Sequence, residues 1–112
     1  MATAIGRVLT VTDETFRQQV IEAKTPVLVE FGAAWCPPCR AAMPILAQLS
    51  DELAGKLTVV TMDTDAEPQV AADLGVLALP TFVLYRNGIP VVHTVGFQPR
   101  AKLLEKIRPH LD

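Results

Sequence analysis

Two cysteines lie three positions apart, and they are the only cysteines in the chain. Cys36 and Cys39 enclose Pro37 and Pro38 in the segment "FGAAWCPPCRAAMP". Two thiols at this spacing can contribute to a metal site, form a structural disulfide, pack as unreactive core residues or exchange with other disulfides. The neighbouring residues and the rest of the chain distinguish these four kinds of chemistry.

A metal site, a structural disulfide and a pair of core thiols are each poorly supported. A closed zinc site takes about four ligands, and beyond the thiols the chain offers only His93, on a predicted strand, and His110, near the C-terminus. A disulfide that closes so short a loop contributes only about 2 kcal/mol to stability. Trp35 and the two prolines place the cysteines at a strand-to-helix turn rather than in a core. We therefore expect no metal.

Thiol–disulfide exchange is the chemistry that this turn favours. If a helix begins here, Cys36 occupies the N-cap, Pro37 the first helical position and Cys39 the third. Unpaired N–H groups and the positive end of the helix dipole then stabilise a thiolate on Cys36. Cys39 lies one turn inward and can reach Cys36 to form a disulfide. An exposed attacking thiolate with a second thiol in reach is what exchange requires.

The elements that must position this turn are predicted from hydrophobic patterning and turn residues. They are strands over 8–12, 26–31, 56–63, 81–86 and 90–95, and helices over 13–24, 36–54, 67–75 and 99–111. Right-handed crossovers make the early strands parallel, and the Asn87–Gly88 turn makes the last pair an antiparallel hairpin. This β-α-β-α-β-α-β-β-α order predicts an α/β fold, a mixed five-stranded sheet flanked by four helices, in one domain over residues 1–112.

Composition and charge exclude several classes of partner. Half of the 112 residues are hydrophobic and 20% are charged, as in globular proteins. The net charge of −2, without a Lys/Arg cluster, argues against nucleic acid and anionic membrane surfaces. Glu30 and three prolines interrupt the longest nearly uncharged segment, so it cannot span a bilayer. No leader pattern is present at the N-terminus, and we expect a cytoplasmic protein.

The segment "AAWCPPCRAAMP" resembles the active site of the thioredoxin family, which usually reads Trp-Cys-Gly-Pro-Cys followed by a basic residue and a proline within the helix. The segments "PVLVEFGA", "KLTVVTMDTD", "LGVLALPTFVLYRNG" and "TVGF" resemble further segments of the family, so the similarity spans nearly the whole chain. The resemblance implies the thioredoxin fold and a protein-disulfide reductase that acts in electron transport and cell redox homeostasis. It also implies a monomer with disulfide-containing client proteins and thioredoxin reductase or a similar recycling enzyme. A Cys36–Cys39 redox disulfide would be its only redox group, without a cofactor.

The resemblance also assigns roles to individual residues. Cys36 would be the nucleophile and Cys39 the resolving cysteine, and Glu30 matches the buried acid that relays the proton of the second cysteine. The family more often has aspartate there, and its companion lysine is Thr61 in this sequence. The alternative is that Glu30 ends the strand and points to water.

A substrate groove is implied around the Cys36 sulfur. Trp35, Pro80, Val95 and Gly96 would line it, and the Leu79 backbone would pair with an extended client segment. The resemblance implies that the Leu79–Pro80 peptide bond is cis. The alternative for Trp35 is a partly buried core tryptophan.

The double proline is the main departure from the family pattern. Pro37 replaces the usual glycine, and neither Pro37 nor Pro38 has an N–H, so Cys39 N–H is the main donor left for Cys36. No polar residue lies between the cysteines to stabilise the thiolate further, and this favours reduction over oxidation. A thiol oxidase or isomerase, and a redox-sensing binding module of thioredoxin type, remain alternatives at this point.

Overall fold

The computed structural model describes residues 4–5, by their backbone alone, and residues 8–111. Its strands are β1 Ala4–Ile5, β2 Val8–Thr10, β3 Val27–Gly32, β4 Thr58–Asp63, β5 Thr81–Arg86 and β6 Ile89–Val95. Its α-helices are α1 Pro37–Glu52, α2 Pro68–Leu74 and α3 Arg100–Ile107. A π-helical segment covers Arg17–Ile21, and a 3-10 turn over Arg108–His110 follows α3.

One mixed sheet contains all the described strands, in the order β1-β2-β4-β3-β5-β6. The strands β2, β4 and β3 run parallel, and β1, β5 and β6 are antiparallel to their neighbours. The five predicted strands and four predicted helical segments are all present, so the α/β fold class is confirmed. The two-residue strand β1 was not predicted, and it extends the sheet at the edge next to β2.

The sheet is covered by helices on both faces, and β3 lies at its centre with every residue buried. Leu28 packs in one core with α1 and α3, whose contributions include Leu46 and Ile107. The alternate β3 residues Val27, Val29 and Phe31 pack in a second core on the other face, together with the π-helical segment and α2. Because successive strand residues point to opposite faces, Glu30 shares the α1 face with Leu28.

The first helix is much shorter than predicted. Helical spacing of Phe16 and Val20 indicated an α-helix over 13–24, and both residues are indeed buried. The structure instead has five π-helical residues, and the N–H of Glu22 donates to the carbonyl of Arg17 at 2.8 Å. Packing of this short segment against the sheet therefore sets its geometry more than helix propensity does.

Thr12 and Asp13 both precede the first helical segment, yet they cap different parts of the structure. The N–H of Thr15 donates to Thr12 Oγ1 at 3.1 Å, within the turn that precedes the π-helical segment. The carboxylate of Asp13 accepts the N–H groups of Gln69 and Val70 at 3.0 and 2.9 Å, at the start of α2. A cap from a distant part of the chain cannot be recognised from local sequence.

The ends of four strands meet at one edge of the sheet, which we call the Gly32 edge. Gly32 at the end of β3 pairs with Asp63 at the end of β4. Next to it, Phe31 pairs with Thr81 at the start of β5, and Thr81 pairs with Val95 at the end of β6. The loops that leave these strand ends, over 33–36, 64–67, 75–80 and 96–99, are therefore brought together there.

Candidate active site

The cysteines lie at the Gly32 edge, where β3 passes into α1. Cys36 is the N-cap of α1, with an extended backbone at φ −92° and ψ 106°. A residue that precedes proline disfavours the helical region, so Pro37 fixes both this cap and the first helical position. Pro38 and Cys39 follow as the second and third helical positions, as the sequence predicted.

Cys36 and Cys39 form a disulfide, with their Cα atoms 5.3 Å apart. The backbone N–H of Cys39 donates to Cys36 Sγ at 3.3 Å. Since Pro37 and Pro38 have no N–H, Cys39 supplies the sole backbone donor among the first three positions of α1. The prediction that this N–H is the donor to the Cys36 sulfur is confirmed.

The expectation of an exposed Cys36 is wrong for the disulfide form. Cys36 is 3% exposed and Cys39 is 4% exposed. Both pack in a small cluster with Ala33, and Leu79 covers that cluster from the loop before β5. Sequence spacing placed Cys36 at the helix N-terminus but could not show that a distant loop lies against it.

Glu30 is buried on the α1 side of β3, with 3% of its surface exposed. Burial raises the pKa of this carboxyl from 4.5 to about 7. Its Oε2 atom has no hydrogen-bond partner among the described residues. The interpretation of Glu30 as a strand end that points to water is therefore wrong, and its environment is that of a usable general base near neutral pH.

Gly32 brings Glu30 and Cys39 together. A Cβ at this position would lie 3.1 Å from Cys39 Sγ and 3.6 Å from Glu30 Oε1, so the sulfur and the carboxylate border the same small space. Any larger residue would fill that space. Sequence reasoning did not identify Gly32, although a glycine that ends a fully apolar strand beside a cysteine pair is a usable signal.

A cavity of about 280 Å³ opens beside this space. Glu30, Gly32 and Cys39 line it, together with Thr10, Ala33, Ala34, Arg40, Met43, Thr61, Met62 and Asp63. Thr61 is the neighbour of Glu30 in the β3–β4 pairing. Both residues line the cavity, and the neutral Thr61 side chain does not offset the cost of burying the Glu30 charge as a cation would.

The predicted groove residues Trp35, Leu79, Pro80, Val95 and Gly96 lie in or next to the loops that leave the Gly32 edge, and we call this surface the outer side. Trp35 is 64% exposed, so it is not a core tryptophan, and its Nε1 donates to Asp65 Oδ2 at 2.6 Å. Val95 is exposed, and the Gly96 N–H donates to the Pro80 carbonyl at 2.7 Å.

The loop before β5 completes this outer side. The Leu79–Pro80 peptide bond is cis, as the resemblance implied. Sequence reasoning did not identify Asp65, whose only signal is its place after β4, a strand that ends at the same edge as β3.

Within residues 8–111, no three His, Cys, Asp or Glu side chains are grouped as a metal site would need. No helix in the described part of the chain is long and apolar enough to cross a membrane.

A family profile and individual known proteins both match this chain, and they agree on one family. The profile of the family described as "Thioredoxin" matches residues 7–109. "Thioredoxin 1" of Nostoc sp. is 40% identical over 101 residues, which cover 90% of this chain and 94% of that protein. "Thioredoxin" of Alicyclobacillus acidocaldarius is 40% identical over 95 residues, 85% of this chain and 90% of that protein. The chloroplastic "Thioredoxin M-type" of Pisum sativum is 37% identical over 108 residues, covering 96% of this chain and 63% of the relative.

Proposed function

Because the chain belongs to the thioredoxin family and is a protein-disulfide reductase, a type of thiol–disulfide oxidoreductase, we propose a separate catalytic role for each of three residues. Cys36 attacks the client disulfide, Cys39 resolves the mixed disulfide and Glu30 moves the proton of Cys39. The observation that carries this assignment is the Cys36–Cys39 disulfide at the start of α1, with the Cys39 N–H on the Cys36 sulfur.

The proposed reaction has two exchanges. In the reduced protein, the Cys36 thiolate attacks one sulfur of the client disulfide; a mixed disulfide forms, and the other client sulfur leaves as a thiolate and is protonated. Cys39 then loses its proton and attacks Cys36 Sγ. The Cys36–Cys39 disulfide forms, the second client thiol leaves, and two electrons have passed to the client.

Glu30 is proposed as the group that receives the Cys39 proton. Its pKa of about 7 leaves about half of the carboxyl ionised near neutral pH, so it can accept and release a proton with little driving force in either direction. Glu30 Oε1 and Cys39 Sγ both border the space beside Gly32. That geometry supports a transfer made directly or through one water molecule in the adjoining cavity.

Reduction of clients is the proposed direction. Pro37 and Pro38 provide no side-chain charge or hydrogen bond to the Cys36 sulfur, so its thiolate has only the Cys39 N–H and the helix terminus. Such a dithiol has to be reduced again after each turnover, and we assign this step to thioredoxin reductase or a similar enzyme. We propose no redox centre besides the disulfide.

The proposed setting follows from the direction of the reaction. Dithiols stay reduced in a reducing compartment, and we therefore propose a cytoplasmic location. We further propose that residues 1–112 act as one thioredoxin domain and as a monomer, on client proteins rather than on nucleic acid or membranes.

The proposed client groove comprises Trp35, Leu79, Pro80, Val95 and Gly96. Leu79 packs against the disulfide cluster, and the Gly96–Pro80 hydrogen bond brings the end of β6 beside the same loop. Exposed Trp35 and Val95 offer apolar contact area to a client.

A trapping experiment tests the roles of the two cysteines. Cys39→Ser should accumulate covalent complexes with client proteins through Cys36, because the first exchange proceeds and the second cannot. Cys36→Ser should form none and should lose insulin-disulfide reduction. Reduction that persists in Cys36→Ser, with no complexes trapped by Cys39→Ser, would overturn the assignment, and so would a reduction potential in the range of the oxidising family members.

A further inference from the structure

The cavity beside Gly32 is lined by two carboxyl groups at different depths. Glu30 is 3% exposed, and Asp63, the last residue of β4, is only partly buried. Glu30 pairs with Thr61 across the parallel strands β3 and β4, so Asp63 lies two residues further along the neighbouring strand. With strands about 4.8 Å apart and a rise of about 3.3 Å per residue, the Cα atoms of Glu30 and Asp63 are roughly 8 Å apart.

The deeper carboxyl lacks a partner. Oε2 of Glu30 is buried and has no hydrogen-bond partner among the described residues. A buried carboxylate is stable only when it is paired or hydrogen-bonded. Among the described residues that line the cavity, Arg40 is the only cation, and its Nη1 donates to the carbonyl of Ala34. The ionised form of Glu30 therefore calls for a cation from outside the chain.

The shallower carboxyl is held in place by the backbone. Oδ1 of Asp63 accepts the N–H groups of Asp65 and Ala66, at 2.9 and 3.3 Å. Both bonds come from the loop that follows β4, so the side chain is fixed while it lines the cavity. A second cationic group can pair with this carboxylate without any change in the fold.

The remaining lining is mainly apolar and includes Ala33, Ala34 and Met43. An aliphatic chain gains contact with these residues, whereas an anion would be repelled by the two carboxylates. A bare metal ion is not favoured either, because no three His, Cys, Asp or Glu side chains within residues 8–111 are grouped to bind one. The ligand that fits is an organic cation with an apolar middle and a charge at each end.

We propose that this cavity binds an aliphatic diammonium ion of the size of butane-1,4-diamine. One ammonium group donates to the Glu30 carboxylate and the other pairs with Asp63, while the alkyl chain contacts Met43. The diammonium ion and a proton compete for the Glu30 carboxyl, since only the ionised form attracts the ammonium group. Binding itself does not depend on the role proposed for Glu30 in disulfide reduction.

The test measures binding to the oxidised protein by nuclear magnetic resonance. Isotope-labelled protein is titrated at pH 8 and constant ionic strength with butane-1,4-diamine, butylamine or butan-1-ol, and the amide signals of Gly32, Thr61 and Asp63 are followed. Butane-1,4-diamine should bind about threefold more tightly than butylamine, because a partly exposed ion pair adds little affinity. Butan-1-ol, which has no charge, should give no saturable shift.

Three variants locate the two ends of the ligand. Glu30→Gln removes the deeper charge and should weaken binding of both amines about twentyfold, the effect of losing a hydrogen bond to a charged group. Asp63→Asn keeps the Oδ1 acceptor; it should bring butane-1,4-diamine to the affinity of butylamine and leave butylamine unchanged. Glu105→Gln makes the same substitution as Glu30→Gln at an exposed position of α3 and should change neither affinity.

The pH dependence of butylamine binding gives an independent readout. Burial raises the pKa of Glu30 to about 7, whereas an alkylammonium ion, like lysine, loses its proton only near pH 10. The wild type should therefore bind roughly 90-fold more tightly at pH 8 than at pH 5, from the ionised fractions of Glu30. Among the described residues, the charged groups that face Glu30 across the cavity are Arg40 and Asp63, and Cys39 does not titrate in the disulfide. Glu30→Gln should lack this dependence.

Several outcomes would overturn the inference. These are equal affinities for the two amines and the alcohol, binding that Glu30→Gln leaves intact, and shifts confined to residues outside the cavity. Absence of a saturable shift with either amine would mean that the cavity holds water only, and it would overturn the inference as well. Since no client is present, none of these results depends on disulfide reduction, which the cysteine variants test separately.

Discussion

The two sulfurs of the disulfide are bonded to each other, yet the two sides of the molecule that they adjoin differ sharply. On the inner side, Cys39 and Glu30 border the space beside Gly32, and burial disfavours the charged form of the Glu30 carboxyl. On the outer side, Cys36 caps α1 in a loop whose neighbour Trp35 is exposed. The comparison shows that two chemically identical cysteines have different surroundings, which supports the proposed assignment of proton transfer to the inner side and of client contact to the outer side.

The largest expected effect is on stability, and it tests the inner side. Because the folded-state pKa of Glu30 is raised from 4.5 to about 7, the folded protein binds more protons than the unfolded chain between these values. Stability should therefore fall as pH rises through this window, by about 3 kcal/mol, and the full loss is present above pH 7. Glu30→Gln should remove this loss, so the oxidised variant should be more stable than the wild type at pH 8 by a similar amount.

Urea unfolding of both oxidised proteins at pH 5 and pH 8 provides the measurement. Other groups titrate equally in both proteins. The effect of Glu30 is therefore the change in the free energy of unfolding between the two pH values in the wild type, minus the same change in the variant. If the free energy of unfolding changes equally in the wild type and in Glu30→Gln between pH 5 and pH 8, Glu30 is not held in a desolvated state.

The second prediction concerns the rate of proton transfer on the inner side. Glu30→Gln should slow resolution of the mixed disulfide about a hundredfold at neutral pH, the typical contribution of a positioned general base. The wild-type rate should rise through about pH 7 as Glu30 ionises, and the variant should lack this step. Glu30→Asp keeps a carboxylate and should restore part of both the rate and the step. Identical pH profiles in all three proteins would contradict the relay.

The third prediction compares tolerance to added volume on the two sides. Gly32→Ala would place a methyl group 3.1 Å from Cys39 Sγ and 3.2 Å from Cys39 Cβ, so the oxidised protein should lose about 2 kcal/mol through overpacking. Ala78→Ser adds one atom at an exposed position in the loop before β5, on the outer side, and should be close to neutral. Denaturant unfolding measures the stability of both variants. Equal losses would contradict the prediction that the inner side tolerates added volume less than the outer side.

The smallest expected effect belongs to the outer side. Asp65→Ala removes the acceptor of the Trp35 indole N–H and should cost at most about 1 kcal/mol, because the hydrogen bond is exposed. The emission of Trp35 should change as its ring gains freedom. Glu14→Ala makes the same change in net charge at another exposed position and should leave the emission as it is. An unaltered spectrum in Asp65→Ala would indicate that this contact does not hold the indole.

Features that depend on neighbours in the chain could be predicted from the sequence. The cap at Cys36 follows from a proline after a cysteine, and the hairpin follows from Asn87–Gly88, both of which have positive φ. The end of α2 at Gly75, in the left-handed region, follows in the same way. The position of Glu30 on the α1 face follows from strand alternation, and only the family resemblance gave it a role.

Features that depend on contacts between distant segments could not be predicted. Asp13 caps α2 across more than fifty residues, although in sequence it lies next to the first helical segment. Leu79 buries the disulfide from a loop forty residues away, and Gly32 matters only because α1 folds back over β3. Each case depends on which distant segments become neighbours in the fold, and local hydrophobic patterning does not specify that.

The strand order has a consequence for how the active site comes into being. Apart from the β1–β2 and β5–β6 pairings, the sheet joins segments far apart in the chain, and β3 pairs with strands that are made after it. Such pairings form late in folding, because the entropy of closing a long loop is lost before the strand contacts can offset that loss. The Gly32 edge exists only when β3, β4 and β5 have assembled. We therefore expect that a growing or partly folded chain carries two ordinary thiols, and that their reactivity appears only with the completed fold.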